Sequence, residues 1–121
     1  MPEPTTPREQ FSRERERVVD LLRSMPATRL ARTWGATGPV PDDDAMGAPG
    51  SVADAAHGAA QWCADAEAVI SGSPPHVVPR LGDLAAGDQL AVTSGDLLAA
   101  DPPDVVLAEA AARLAELRRR A

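Results

Sequence analysis

Alanine holds 24 of the 121 positions, while Val, Leu, Ile and Phe together hold 23. A chain with so few large apolar side chains cannot fill a wide core. It can bury surface only by bringing backbones close together, and alanine, the strongest helix former, permits that between helices. Large apolar residues below a fifth of the chain, with a net charge of −6, make disorder the competing outcome. Their placement decides against it over most of the length, because they recur with helical period.

Twelve prolines and nine glycines set where those helices start and stop. Residues 1–7 read as a disordered lead, and residues 8–121 as a single helical domain. A first helix is predicted from Pro7 to Ser24, with Phe11, Val18, Leu22 and Met25 on one stripe. Glu9–Arg13 and Glu14–Arg17, at i,i+4 and i,i+3, support its exposed surface. Pro26 opens a short second helix that carries Leu30 and ends near Trp34. Residues 35–50, with four Gly and three Pro, read as a flexible loop, and a loop of this length is either functional or merely flexible.

Ser51 to Asp54 resembles a capping box, and Gly72 before Pro74-Pro75 is a stop, which brackets the next helix. At 100° per residue its apolar face runs through Val52, Ala55, Ala59, Trp62, Cys63, Ala66, Val69 and Ile70. Asp54, His57, Gln61 and Asp65 lie opposite. Residues 73–82 hold too many prolines for a helix and read as an extended link. Asp83 caps a helix to about Ala100, with Leu84, Ala91, Gly95 and Leu98 in line and Leu90 and Leu97 beside them. Asp101 caps the last helix, where Pro103, Leu107, Ala110, Leu114 and Leu117 are spaced 4, 3, 4, 3 as in a short packing seam. Taken as three long helices plus one short N-terminal helix with Pro/Gly-rich loops, these elements predict an all-α fold, a small antiparallel helical bundle. So thin a core favours a second chain, and homo-oligomerisation is expected.

All twelve cations are arginines, an absence of lysine that a GC-rich bacterial genome explains. No Schiff base and no P-loop lysine can therefore form. One cysteine excludes an internal disulfide, and two histidines exclude a three-histidine metal site. Charge is segregated: residues 1–34 carry +2, residues 35–112 carry −11 with Arg80 as the one cation, and residues 113–121 carry +3. An acidic middle repels a phosphate backbone, so nucleic acid is the least supported partner, although Arg8, Arg13, Arg15 and Arg17 cluster. No run reaches the ~18 apolar residues of a membrane span, and the N-terminus lacks signal-peptide features, so a cytoplasmic protein is expected.

Candidate sites follow from the same spacing. Cys63 and His57 lie about 120° apart on their helix, which sets the cysteine inward and the histidine outward and separates nucleophile from base. His57 with Asp54 and Asp65 lacks the spacing of a metal site, and Asp42-Asp43-Asp44 lacks the alternation of a calcium loop, so no metal and no cofactor are assigned. Trp62 reads as a core anchor, whereas Trp34, at a loop start, suits either a core anchor or the border of a pocket or partner surface. Asp88 falls on the predicted apolar arc and needs a partner, which the upstream Arg80 can supply. The leading expectation is a non-enzymatic small helical protein acting through protein–protein interaction, by self-association or as an accessory subunit. Trp34, Leu107, Leu114 and Leu117 would form its partner surface. The alternative is a small-ligand-binding or catalytic bundle using Arg80, Asp88 and His76.

Overall fold

In the computed structural model, which describes residues 5–33 and 50–121, every regular element is helical. The elements are α1 (Pro7–Ser24), α2 (Ala27–Leu30), α3 (Val52–Ser71), a 3-10 turn (Asp83–Ala85), α4 (Ala86–Ala99) and α5 (Asp104–Arg120). The all-α expectation holds, but the count was one long helix short: four helices exceed three turns and only α2 is brief. Most of the expected lead and all but the last residue of the expected loop at 35–50 lie outside the described residues. The two sides of that segment meet, since the Val52 N–H donates to the Arg32 carbonyl at 2.9 Å.

Local chemistry explains the helix ends. The Thr6 hydroxyl accepts from the Glu9 N–H at 3.1 Å, with Pro7 opening α1. Ser51 and Asp54 exchange side-chain and backbone bonds at 3.0 Å each, completing the capping box of α3. Gly72 closes that helix in the left-handed region, with φ of 70°. Two predicted caps are corrected. Gly82 precedes the turn that leads into α4, so Asp83 is not its cap. Asp101 turns off the end of α4 with φ of 55°, and Pro103 is the residue that precedes α5. Aspartate tolerates the left-handed region better than most residues, which suits it to the tight reversal.

Phe11, Val18, Leu22 and Met25 are buried as the α1 stripe predicts, and so are Leu107, Ala110, Leu114 and Leu117 of the α5 seam, whereas its first member, Pro103, is exposed. The other two faces are turned by about one residue's step of 100°. In α3 the buried line is Val52, Ala53, Ala56, Ala60, Cys63, Ala64 and Ala68, while Val69 is 82% exposed. In α4 it is Ala86, Gly87, Leu90, Ser94 and Leu97, with Leu84 left 72% exposed in the preceding turn. Alanine on nearly every side of α3 flattens the hydrophobic contrast, so close fit selects the face.

The core lies between α1, α3, α4 and α5, with α1 against both α4 and α5, and α3 against α4. Gly87 lets α4 approach α1 closely: an added Cβ would lie 3.0 Å from Arg23 Cγ, 3.2 Å from the Arg23 backbone nitrogen and 3.3 Å from Leu22 Cβ. Arginines from α1 then lie across α4 in order. Arg8 reaches Asp101, Arg15 reaches Ala91 and Ser94, and Arg23 reaches Asp88. Between α3 and α4 the link does not make a tight hairpin. It runs back along α3, so that α4 starts beside the first turns of α3. Eighteen helical residues rise about 27 Å, within the roughly 33 Å that ten extended residues span.

Gly87 and Gly58 separate packing from propensity. Gly58 is exposed, with nothing within 4 Å of an added Cβ. Gly58→Ala should raise stability by ~0.5–1 kcal/mol through helix propensity. Gly87→Ala should lower it by ~1–3 kcal/mol through overpacking against α1. Urea unfolding followed by circular dichroism measures both.

Candidate functional site

Residues 73–82 have no regular structure, so their backbone polar groups must find other partners. Polar side chains of α3 and α4 supply them. Gln61 accepts from the Val78 N–H at 2.8 Å and donates to the His76 carbonyl at 2.9 Å. His57 Nε2 lies 2.7 Å from the Val78 carbonyl, an approach that requires its proton on Nε2. From α4, Gln89 donates to the Pro79 carbonyl at 2.7 Å. Val78 itself is buried, at 6% exposure. The outer face of α3 is therefore the seat of a strap, and His57 is part of its fastening where a freely solvated ring was expected.

Arg80 ends the strap in a three-residue cluster. Its Nε and a terminal nitrogen donate to Asp54 Oδ1 at 3.0 and 2.8 Å, and the same terminal nitrogen donates to Asp83 Oδ1 at 2.9 Å. The other terminal nitrogen donates to the Leu81 carbonyl. Asp83 first and Asp54 second stabilise the charged guanidinium and raise its pKa. In return Arg80, and after it the Ser51 backbone N–H, hold the Asp54 carboxyl below its usual range. Asp54 thus serves twice, capping α3 through one oxygen and anchoring the strap through the other.

The predicted Arg80–Asp88 pair does not form. Asp88 lies on the solvent side of α4 and accepts from Arg23 Nε at 2.8 Å. Its apparent apolar position came from phasing the helix on Leu84, which is exposed. His76 is exposed and meets the strap's fastening through its backbone carbonyl. Arg80, Asp88 and His76 are therefore not drawn into one pocket.

The expected partner surface is also redistributed. Leu107, Leu114 and Leu117 are 2%, 1% and 3% exposed in the chain's own core, so their seam is spent internally. Trp34 lies outside the described residues, as do Asp42, Asp43 and Asp44. Trp62 is only half-buried at the core's edge, with the Arg113 guanidinium 4.8 Å over its ring. Cys63 is buried as expected, and burial pushes its thiol up to about 12, so it is protonated and unreactive at neutral pH.

Sequence reasoning missed Ser94. It is fully buried, accepts from Arg15 Nε at 2.8 Å and donates to the Leu90 carbonyl at 2.6 Å. Arg8 and Arg15, two of the four clustered N-terminal cations, are thereby directed onto α4. Among the described residues no group of three or more His, Cys, Asp or Glu could hold a metal ion. Among them also, no helix is long and apolar enough to cross a membrane.

Removing the Arg80 anchor should loosen the strap while the helices persist. Arg80→Ala is expected to keep its helical circular dichroism and to lose ~1 kcal/mol, as a partly exposed ion pair warrants. Limited proteolysis should show faster cleavage within residues 73–82. Asp54 holds its proton less readily folded than unfolded, so its contribution is present above the ordinary aspartate range. It is lost as pH falls through the depressed folded value. Asp54→Asn should accordingly flatten the fall in stability on acidification below about pH 4.

Searches with this chain against protein-family models, curated proteins and solved structures return no match.

Proposed function

We propose that this chain is a non-enzymatic helical protein that acts through protein–protein contact, with the strap as its contact surface and a second copy as its partner. The single observation that carries the reading is the apolar surface of the strap and the turn after it. Val77 is 83% exposed, Leu81 50% and Leu84 72%, on a segment tied down by His57, Gln61, Arg80 and Gln89. A contact surface held in one conformation loses little entropy on binding, and exposed large side chains supply the buried anchors that associations use.

A second copy is the favoured occupant for two reasons. The monomer's core is thin, so burying three further large side chains per chain adds stability where it is short. The strap's immediate charges are also largely matched, with Arg80 against Asp54 and Asp83, and Arg23 against Asp88. The repulsion that the −11 of residues 35–112 would otherwise impose on two like faces is reduced there. In this reading the four long helices make one bundle with α1 and α4 antiparallel, and two bundles meet strap to strap about a two-fold axis. The ligand-binding alternative on Arg80, Asp88 and His76 has less support, because the arginine's donors are already engaged within the chain.

Sedimentation velocity over a concentration series tests this. The expected result is a reversible monomer–dimer equilibrium. Val77→Asp with Leu84→Asp should shift it to monomer while leaving circular dichroism and thermal unfolding of the monomer unchanged. A monomer at every concentration, or a dimer indifferent to both substitutions, overturns the proposal.

A further inference from the structure

The groove between α1 and α5 lies away from the strap and has a different chemistry. It is an open groove of about 350 Å³, with Gln10, Arg13, Glu14 and Arg17 on its α1 side. Its α5 side consists of alanines: Ala108, Ala111, Ala112 and Ala115. Positions 108, 111, 112 and 115 share one helix face, so their methyl groups make a shallow apolar floor.

The charges around the groove do not balance. Glu14 is matched, because Arg118 of α5 donates to both of its oxygens at 2.8 and 3.0 Å. The pairs expected from sequence, Glu9–Arg13 and Glu14–Arg17, are not made. Among the described residues no ion pair engages Arg13 or Arg17, and both are exposed. Arg118 first, then Arg17 and Arg13 through space, hold the Glu14 carboxyl below its usual range, so it stays ionised and paired at neutral pH. The groove is thus lined by two guanidinium groups that make no ion-pair contact, beside an apolar floor, in a chain whose total charge is −6.

Arg13 and Arg17 are four residues apart, which places their Cβ atoms about 5–6 Å apart on one face. Two guanidinium groups at that spacing can each present a planar fork to one anionic group. The volume lies at the lower end of the ~300–1,000 Å³ range of small-molecule sites. We propose that the α1–α5 groove binds a small amphipathic anion, its carboxylate or phosphate head held by Arg13 and Arg17 and its short hydrocarbon body lying on Ala108, Ala112 and Ala115. Gln10, one turn before Arg13 and Glu14, adds a neutral donor at the head-group end. The site is independent of the strap, so neither reading depends on the other.

The test is an NMR titration of the full ¹⁵N-labelled chain with hexanoate and with hexyl phosphate, which distinguish the two head groups. Hexanol (body without charge), acetate and inorganic phosphate (charge without body) are the controls. Saturable shifts at the amides of Ala108, Ala112 and Ala115 are expected with one or both amphiphiles. Arg13→Gln with Arg17→Gln should weaken binding by about tenfold or more. Ala112→Leu should abolish it by filling the floor, with circular dichroism unchanged in both variants. Equal binding of hexanol would remove the role of the arginines. Equal binding of acetate or inorganic phosphate would mean an adventitious ion only. Either result, the absence of saturable shifts, or wild-type affinity in the double arginine variant overturns the proposal.

Discussion

The close approach of α1 to α4 at Gly87 is the contact on which the other arrangements depend. A Cβ added there would lie 3.2 Å from the Arg23 backbone nitrogen, so any side chain at this position would crowd α1. With 24 alanines and few large apolar residues, close helix approach is how this chain removes surface from water. Once the backbones are this close, α4 must turn Leu90 and Leu97 inward on one side of Gly87, and Asp88 is carried out to solvent. The same closeness brings the α4 carbonyls within reach of α1 side chains. Arg15 uses it, bonding the Ala91 carbonyl at 2.7 Å and the Ser94 hydroxyl at 2.8 Å across Gly95.

The strap follows from the second consequence of thin helices. A link of ten residues that returns along α3 has backbone donors and acceptors with no ladder to join. His57, Gln61 and Gln89 satisfy them from helices whose buried faces are small. The polar face of α3 therefore has a structural task, although it is drawn entirely from residues that a helical wheel assigns to water. Within residues 73–82 only Val78 is buried, and Val77 and Leu81 are left outside.

What could be read from sequence divides along the same line. The limits of α1 and α3 were legible because they rest on local chemistry: Pro7, the Ser51–Asp54 box, and Gly72 ahead of two prolines; the caps assigned to Asp83 and Asp101 were not. The stripes of α1 and α5 were legible because Phe11, Leu22, Leu107 and Leu114 stand out from charged neighbours. The faces of α3 and α4 were not. Ala55 and Ala56 are equally apolar, and only the neighbouring helix distinguishes them. Arg80 stands out in the sequence as the lone cation of residues 35–112, and in the structure it joins the link to Asp54 and Asp83. Its partners were misassigned to Asp88 because Asp54 lies twenty-six residues away and becomes adjacent only when the link doubles back.

The segregation of arginine to the chain ends now has a physical account that genome composition alone does not supply. Arg8, Arg15 and Arg23 recur at steps of seven and eight, so they share one face of α1 and descend α4 together. Arg13 and Arg17 fall on a different face, toward α5, where Arg118 neutralises Glu14. One helix thus sends cations in two directions, and only the first set is consumed by folding. Lysine would serve Arg15's position less well, because its three donors share one nitrogen, whereas Arg15 reaches a hydroxyl and a carbonyl from separate nitrogens of a rigid fork. The outward pair is under no such demand from packing, and its charge remains available to the groove beside it.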